Sequence, residues 1–83
     1  MKYELAYVKW VDTTATDTGW HSIHEADDWI QNEPNIVHQV GFIYTQTKDY
    51  ITLLDSYVGD TLGVVTKIPT AVVLLLEILP IDV

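Results

Sequence analysis

The chain has 83 residues, 48% of them hydrophobic, which predicts one folded domain over residues 1–83 and excludes a disordered chain. Twelve acidic residues against four basic ones give a net charge of −8. Such a chain repels phosphate backbones and anionic lipids, so we expect no direct nucleic-acid binding and no membrane binding. The absence of cysteine excludes disulfides and thiolate metal sites and favours a reducing, cytoplasmic location.

The first predicted element is a strand over residues 3–11, where Tyr, Val and Trp recur among isolated charges. Alternation along this strand places Ala6, Val8 and Trp10 on one face. The polar stretch 12–19 has no apolar period, and it predicts a loop.

A capping box predicts that a helix begins after Ser22. The Ser22 hydroxyl can accept a hydrogen bond from the Glu25 amide, while the Glu25 carboxylate accepts one from the Ser22 amide. The helix is expected over residues 23–31, because Pro34 disfavours its continuation. Three apolar residues at helical spacing are expected to face the core: Ile23, Ala26 and Ile30.

Four more strands are expected, at residues 36–45, 50–57, 62–68 and 71–79, joined by short turns such as Gly59-Asp60. The segment from Ile68 to Val72 resembles the tight helical turn between the last two strands of an SH3-like barrel. The sequence therefore predicts a mainly β (α+β) fold, a five-stranded SH3-like antiparallel barrel with one short helix inserted between strands one and two. An open five-stranded sheet with the helix across one face is the alternative.

Residues with metal-ligating chemistry crowd around the start of the helix: His21, His24, Glu25, Asp27 and Asp28. His21 precedes the cap and Glu25 is engaged in it, so a capped, solvated helix start explains the same residues without a metal. The sequence pairs no nucleophile with a base and contains no glycine-rich phosphate loop. We therefore expect no catalytic residue, no metal and no cofactor.

Aromatic and basic side chains are the candidates for a ligand site, because aromatic rings can stack on a planar ligand. The candidates are Trp10, Trp20, His21, Tyr44, Tyr57 and Lys67. Packing in the core and on the sheet faces is the alternative role for the aromatic residues. Trp20 ends a polar loop beside His21, where a tryptophan either holds the loop in place or contacts a partner.

The last predicted strand is apolar on both faces. Strict alternation places Val73, Leu75 and Leu79 on the side away from the barrel interior. A small barrel has one interior, so this second face has to be covered by the helix or by another chain. We expect a homo-oligomer, with a dimer favoured, and these three residues at its interface.

Several short motifs, spread over most of the chain, resemble a loose group of small accessory proteins of tailed phages and prophages. The motifs are Val8-x-Trp10-x-Asp12, Gly19-Trp20, the acidic helix, Val40-Gly41, Asp49-Tyr50-Ile51-x-Leu53 and Ile68-Pro69. The resemblance implies an accessory protein made in the cytoplasm of a bacterial host, and it assigns no activity to any residue.

These observations together predict a non-enzymatic binding module that engages a host protein or sequesters a small ligand. The alternative is an acidic nucleic-acid mimic that blocks a DNA-binding enzyme of the host, since carboxylates can imitate phosphates.

Overall fold

The computed structural model describes residues 2–12, 22–30 and 35–81. Within these ranges the elements are β1 (Leu5–Asp12), α1 (Ile23–Ile30), β2 (Asn35–Gln46), β3 (Tyr50–Leu54), β4 (Tyr57–Val58), β5 (Thr61–Leu62), β6 (Val65–Pro69), a 3₁₀ turn (Thr70–Val72) and β7 (Val73–Ile78). No helix in this part of the chain is long and apolar enough to cross a bilayer.

Five strands form one antiparallel sheet in the order β6-β3-β2-β1-β7, and β4 pairs with β5 in a separate hairpin. The expected mainly β fold, with one helix between the first two strands, is confirmed. Branched and aromatic residues dominate these strands, and such residues favour a pleated, half-buried surface.

The long strand β2 belongs to two halves of the sheet. Residues 35–42 pair with β1, and residues 42–46 pair with β3. A register shift between Ile43 and Thr45 marks a β-bulge in the second part, and bulges bend a strand and increase its twist. The bend lets the two halves fold over a shared interior.

The largest cluster in the interior consists of five buried side chains from β1, β3 and β6: Ala6, Val8, Ile51, Leu53 and Ile68. Partly buried side chains from β1, β2, the 3₁₀ turn and β7 pack against them: Trp10, Ile43, Val72, Val73 and Leu76. Gly41 allows the close approach of β3, because a Cβ atom there would lie 3.0 Å from the Leu54 carbonyl oxygen and 3.1 Å from the Leu53 Cβ.

The sheet is strongly curved, yet it does not close into the predicted barrel. In a flat sheet the edge strands β6 and β7 would lie about 19 Å apart, four strand spacings. They are joined by the turn Thr70–Val72, which spans only about 6 Å at the usual 3₁₀ rise, so the sheet must curl. No ladder joins β6 to β7 in the described part of the chain, so the barrel stays open along this seam.

The helix begins as predicted and is eight residues long. The Glu25 amide donates to Ser22 Oγ at 3.1 Å, and the Ser22 amide donates to Glu25 Oε2 at 3.4 Å, which confirms the capping box. The expectation that Ile23 faces the core is wrong, because its side chain is 83% exposed. The two halves of the sheet fill the interior with their own side chains, and the core does not draw on Ile23.

Two predicted strands are shorter than expected because a hairpin lies between them. The predicted strand 50–57 ends at Leu54, and the next ladder strand begins at Val65. The Asp55 carboxylate accepts hydrogen bonds from the Val64 amide at 2.8 Å and from the Ser56 hydroxyl at 3.0 Å. Such side-chain bonds to the backbone compete with the ladder, so the strands break here.

Candidate protein-interaction surface

The solvent side of β2, β1 and β7 carries a continuous set of side chains. Ala6 and Val8 of β1 point into the core, so the odd-numbered residues of that strand and their cross-strand partners point the other way. We call the part of this set from Tyr7 to Val11, with its cross-strand partners, the outer face: Tyr7, Lys9, Val11, Ile36, His38, Val40, Leu75 and Glu77. Residues directly opposite each other in a ladder are neighbours, so the outer face is one patch.

Two apolar side chains on the outer face are strongly exposed to water. Val40 is 58% exposed and Leu75 is 47% exposed, and they lie on either side of β1. Tyr7 and Val11 of β1 are half-buried on the same face. Exposed apolar side chains grouped on one face are typical of an interaction surface in a soluble protein.

A bulge in β7 separates the three residues predicted to form the interface. Val73 is opposite Trp10 and Leu75 is opposite Lys9, so one extra residue, Leu74, stands between the two pairs. Val73 packs against the core, whereas Leu75 lies on the outer face. Strict alternation had placed them on one side, and the bulge reverses the direction of Val73 relative to Leu75.

The same bulge exposes Leu74, which alternation assigned to the interior and which is 55% exposed. Leu79, the third predicted interface residue, is half-buried just beyond the end of β7. Its amide donates to the Leu5 carbonyl at 2.8 Å. The sequence gives no local signal for this bulge, since Leu74 is as apolar as its neighbours.

A polar pair sits within the outer face. The Tyr7 hydroxyl and His38 Nδ1 are 2.7 Å apart, and the two rings stack with centroids 6.0 Å apart. The contact crosses from β1 to β2 and fixes the orientation of both rings. Preorganised aromatic side chains with a polar end are favoured at protein interfaces, because little conformational entropy is lost on binding.

Two of the predicted ligand residues, Tyr44 and Tyr57, belong to one aromatic cluster. Tyr3 joins them, with ring centroids 5.7 Å from Tyr44 and 4.9 Å from Tyr57, and Phe42 lies 5.1 Å from Tyr57. The Lys2 amide also donates to the Tyr57 hydroxyl at 3.3 Å. These rings pack edge-on or tilted against one another, so much of their surface is used within the fold. Tyr3 was not among the candidates, because its position at a strand start gives no sign of this contact.

Trp10 belongs to a hydrogen-bonded chain on the inner side of the sheet. Its Nε1 donates to Gln39 Oε1 at 3.2 Å, and Gln39 Nε2 donates to Thr66 Oγ1 at 3.1 Å. The chain links β1, β2 and β6, because Gln39 uses both ends of its amide. Trp10 therefore helps to hold the two halves of the sheet together.

The remaining candidates lie elsewhere. Lys67 Nζ is 4.1 Å from the centroid of the Tyr50 ring, a distance typical of a cation–π contact. Trp20 and His21 lie outside the described residues. The structure thus brings together Tyr44 and Tyr57, and it gives Trp10 and Lys67 different neighbours.

The clefts and the metal-ligating residues of the described part of the chain form no better candidate site than the outer face. One open cleft of about 300 Å³ lies between residues 2–5 and 78–81, and another of about 240 Å³ opens between the two halves of the sheet. Both lie at or below the lower end of ligand-pocket volumes. Within residues 2–12, 22–30 and 35–81, no three His, Asp or Glu side chains are grouped so that they could hold a metal ion.

Comparison with protein families, with curated proteins and with solved structures finds no match to this chain.

Proposed function

We propose that this chain is a non-enzymatic binding module that works through its outer face, and that its first partner is a second copy of itself. The observation that carries the proposal is the exposure of Val40 and Leu75 on the two strands flanking β1. Complete burial of a Val or Leu side chain contributes about 1.5–3 kcal/mol, of which a half-exposed residue has gained only part. Association with a partner can bury the remaining surface of these side chains and so supply the remaining free energy.

The charge of the outer face supports a second copy as the partner. The whole chain carries −8, which opposes unspecific aggregation. The outer face itself carries one basic residue, Lys9, and one acidic residue, Glu77, so two copies can meet there without bringing the other carboxylates together. A two-fold axis lets the same apolar patch meet itself.

We propose a partly opened SH3-like barrel, supported by the strand order β7-β1-β2-β3-β6 and by the 3₁₀ turn between the two edge strands. The resemblance to phage and prophage accessory proteins supports a role in a host bacterial cytoplasm, where the dimer would engage a host protein. A nucleic-acid mimic requires carboxylates on one face, and the outer face offers only Glu77.

Sedimentation equilibrium of the native chain tests the proposal. At tens of micromolar the native chain should be a dimer, and Val40→Glu should give a folded monomer because it replaces an exposed apolar side chain of the outer face by a charge. Val58→Glu is the matched control, since Val58 is 75% exposed on the hairpin strand β4, away from the outer face. That variant should remain dimeric. A monomeric native chain, or a dimer that tolerates Val40→Glu, would contradict the proposal.

A further inference from the structure

His38 lies between two exposed apolar side chains of the outer face. Its neighbours on the same side of β2 are Ile36 and Val40, and all three side chains are exposed. Side chains two residues apart on a strand point to the same side and stand about 7 Å from each other. A surface that covers Val40 therefore covers His38 as well.

The contact with Tyr7 keeps the imidazole ring of His38 on the outer face. The Tyr7 hydroxyl and His38 Nδ1 are 2.7 Å apart. A neutral ring accepts the hydroxyl proton at Nδ1, and a protonated ring donates from Nδ1 to the hydroxyl oxygen. The same short contact therefore serves both forms of the ring. Protonation changes the charge of the outer face and leaves the side chain in place.

The charged and titratable groups that face His38 in the described part of the chain lie on β1 and β7. Lys9 of β1 is directly opposite His38, and Tyr7 of β1 is opposite Glu77 of β7. With a neutral His38, the charges of Lys9 and Glu77 balance and the outer face has no net charge. A protonated His38 faces Lys9, a like charge, and gives each outer face a net charge of +1.

We propose that pH controls the self-association of the chain, and that protonation of His38 separates the two copies. This inference rests on the self-association proposed above and adds its regulation. Two protonated outer faces would bring four cations together with two carboxylates and remove them from water, and both steps are unfavourable. A neutral His38 carries no such cost. Histidine ordinarily changes its charge between pH 5 and 8, so mild acid is the trigger.

The effect of acid on the charge of the whole chain has the opposite sign. The chain has three histidines, and protonation of all three changes its net charge from −8 to −5, which weakens the repulsion between copies. Without the effect of His38, association should therefore be slightly stronger in acid. If only copies with a neutral His38 associate, a tenfold fall in the neutral fraction raises the dissociation constant by up to about a hundredfold, because each copy contributes one histidine.

Sedimentation equilibrium at about pH 7.5 and about pH 5.5 provides the first test. The dissociation constant of the native chain should rise by about tenfold or more at the lower pH. His38→Gln is neutral at both pH values, so this variant should remain a dimer and lose the rise. His24→Gln is the matched control, since it removes a histidine from α1 and should keep the rise. A native dimer that does not weaken in acid, or a rise that persists in His38→Gln, would overturn the proposal.

The titration of the His38 ring, followed by NMR on the native chain at low and high protein concentration, provides the second test. Because the coupling between protonation and association is reciprocal, the midpoint should lie at least about half a pH unit lower in the dimer. An unchanged midpoint overturns the proposal, and this measurement decides alone if His38→Gln does not fold. A native chain that is monomeric at about pH 7.5 contradicts the self-association itself. A dimer that Val40→Glu abolishes and acid does not weaken leaves the binding module standing and shows that the pH control is wrong.

Discussion

β3 and β7 are two apolar strands of the same sheet, but β3 is largely buried and β7 is largely exposed. β3, with the sequence YITLL, buries Ile51, Leu53 and Leu54, whereas no residue of β7, VLLLEI, is completely buried. β3 lies between β2 and β6 and faces the core, while β7 is an edge strand paired only with β1. Position in the sheet, more than hydrophobicity, determines burial. The apolar surplus of β7 is therefore available to a partner.

The largest expected effect comes from the same substitution in the two strands. Leu53→Ala should lower the free energy of unfolding by about 2–5 kcal/mol, because it leaves a cavity in the core. Leu75→Ala should cost less than about 1 kcal/mol, since the side chain is already half in water. Urea unfolding at a protein concentration low enough to keep the chain monomeric measures both. Equal losses in the free energy of unfolding would contradict the difference in burial between β3 and β7.

A smaller effect is expected from Gly41→Ala, which tests the approach of β2 to β3. The added Cβ would meet the backbone oxygen of Leu54 at 3.0 Å and the Cβ of Leu53 at 3.1 Å, and neither atom is at the end of a flexible chain. The backbone has to shift, so we expect a loss of about 1–3 kcal/mol in the free energy of unfolding. If the variant has the same melting temperature as the native chain, β3 can move away from β2 without a loss of stability.

The smallest effect is expected in the helix α1, which lies outside the sheet that contains β3 and β7. Ser22→Ala removes the cap and should destabilise the helix by about 1 kcal/mol. Circular dichroism should show less helix, while the amides of β3 keep their protection against exchange. Ser56→Ala is the control, because its exposed hydroxyl bonds to Asp55 outside any helix. A loss of helix in the control, or none in Ser22→Ala, would remove the cap from the explanation.

Features that depend on neighbouring residues were predictable from the sequence. The capping box at Ser22, the turn at Gly59 and the 3₁₀ turn before β7 rest on short local patterns, and the structure contains all three. The open seam was not predictable, since barrel closure depends on hydrogen bonds between β6 and β7, which no local pattern encodes. The exposure of Ile23 depends on how the distant sheet fills its own interior.

The candidate surface was predictable only in part, for a similar reason. Leu75 was recognised because alternation works at its position, and Val73 and Leu74 were misplaced because a bulge shifts the register between them. Val40 falls within the predicted strand 36–45, yet nothing in its neighbours shows that its side chain is left exposed. Tyr3 joins Tyr44 and Tyr57 through the fold, across a separation that sequence patterns do not span.

The pairing of β1 with β7 has a consequence for how the chain folds during synthesis. Ala6 is opposite Ile78, so this ladder joins two strands that are almost the whole described chain apart. β2, β3 and β6 can pair as soon as they leave the ribosome, but β1 has to wait with one edge unpaired until β7 is released. Such non-local pairings slow folding into the millisecond-to-second range. The nascent chain therefore exposes one edge of β1 until β7 has been made and pairs with it.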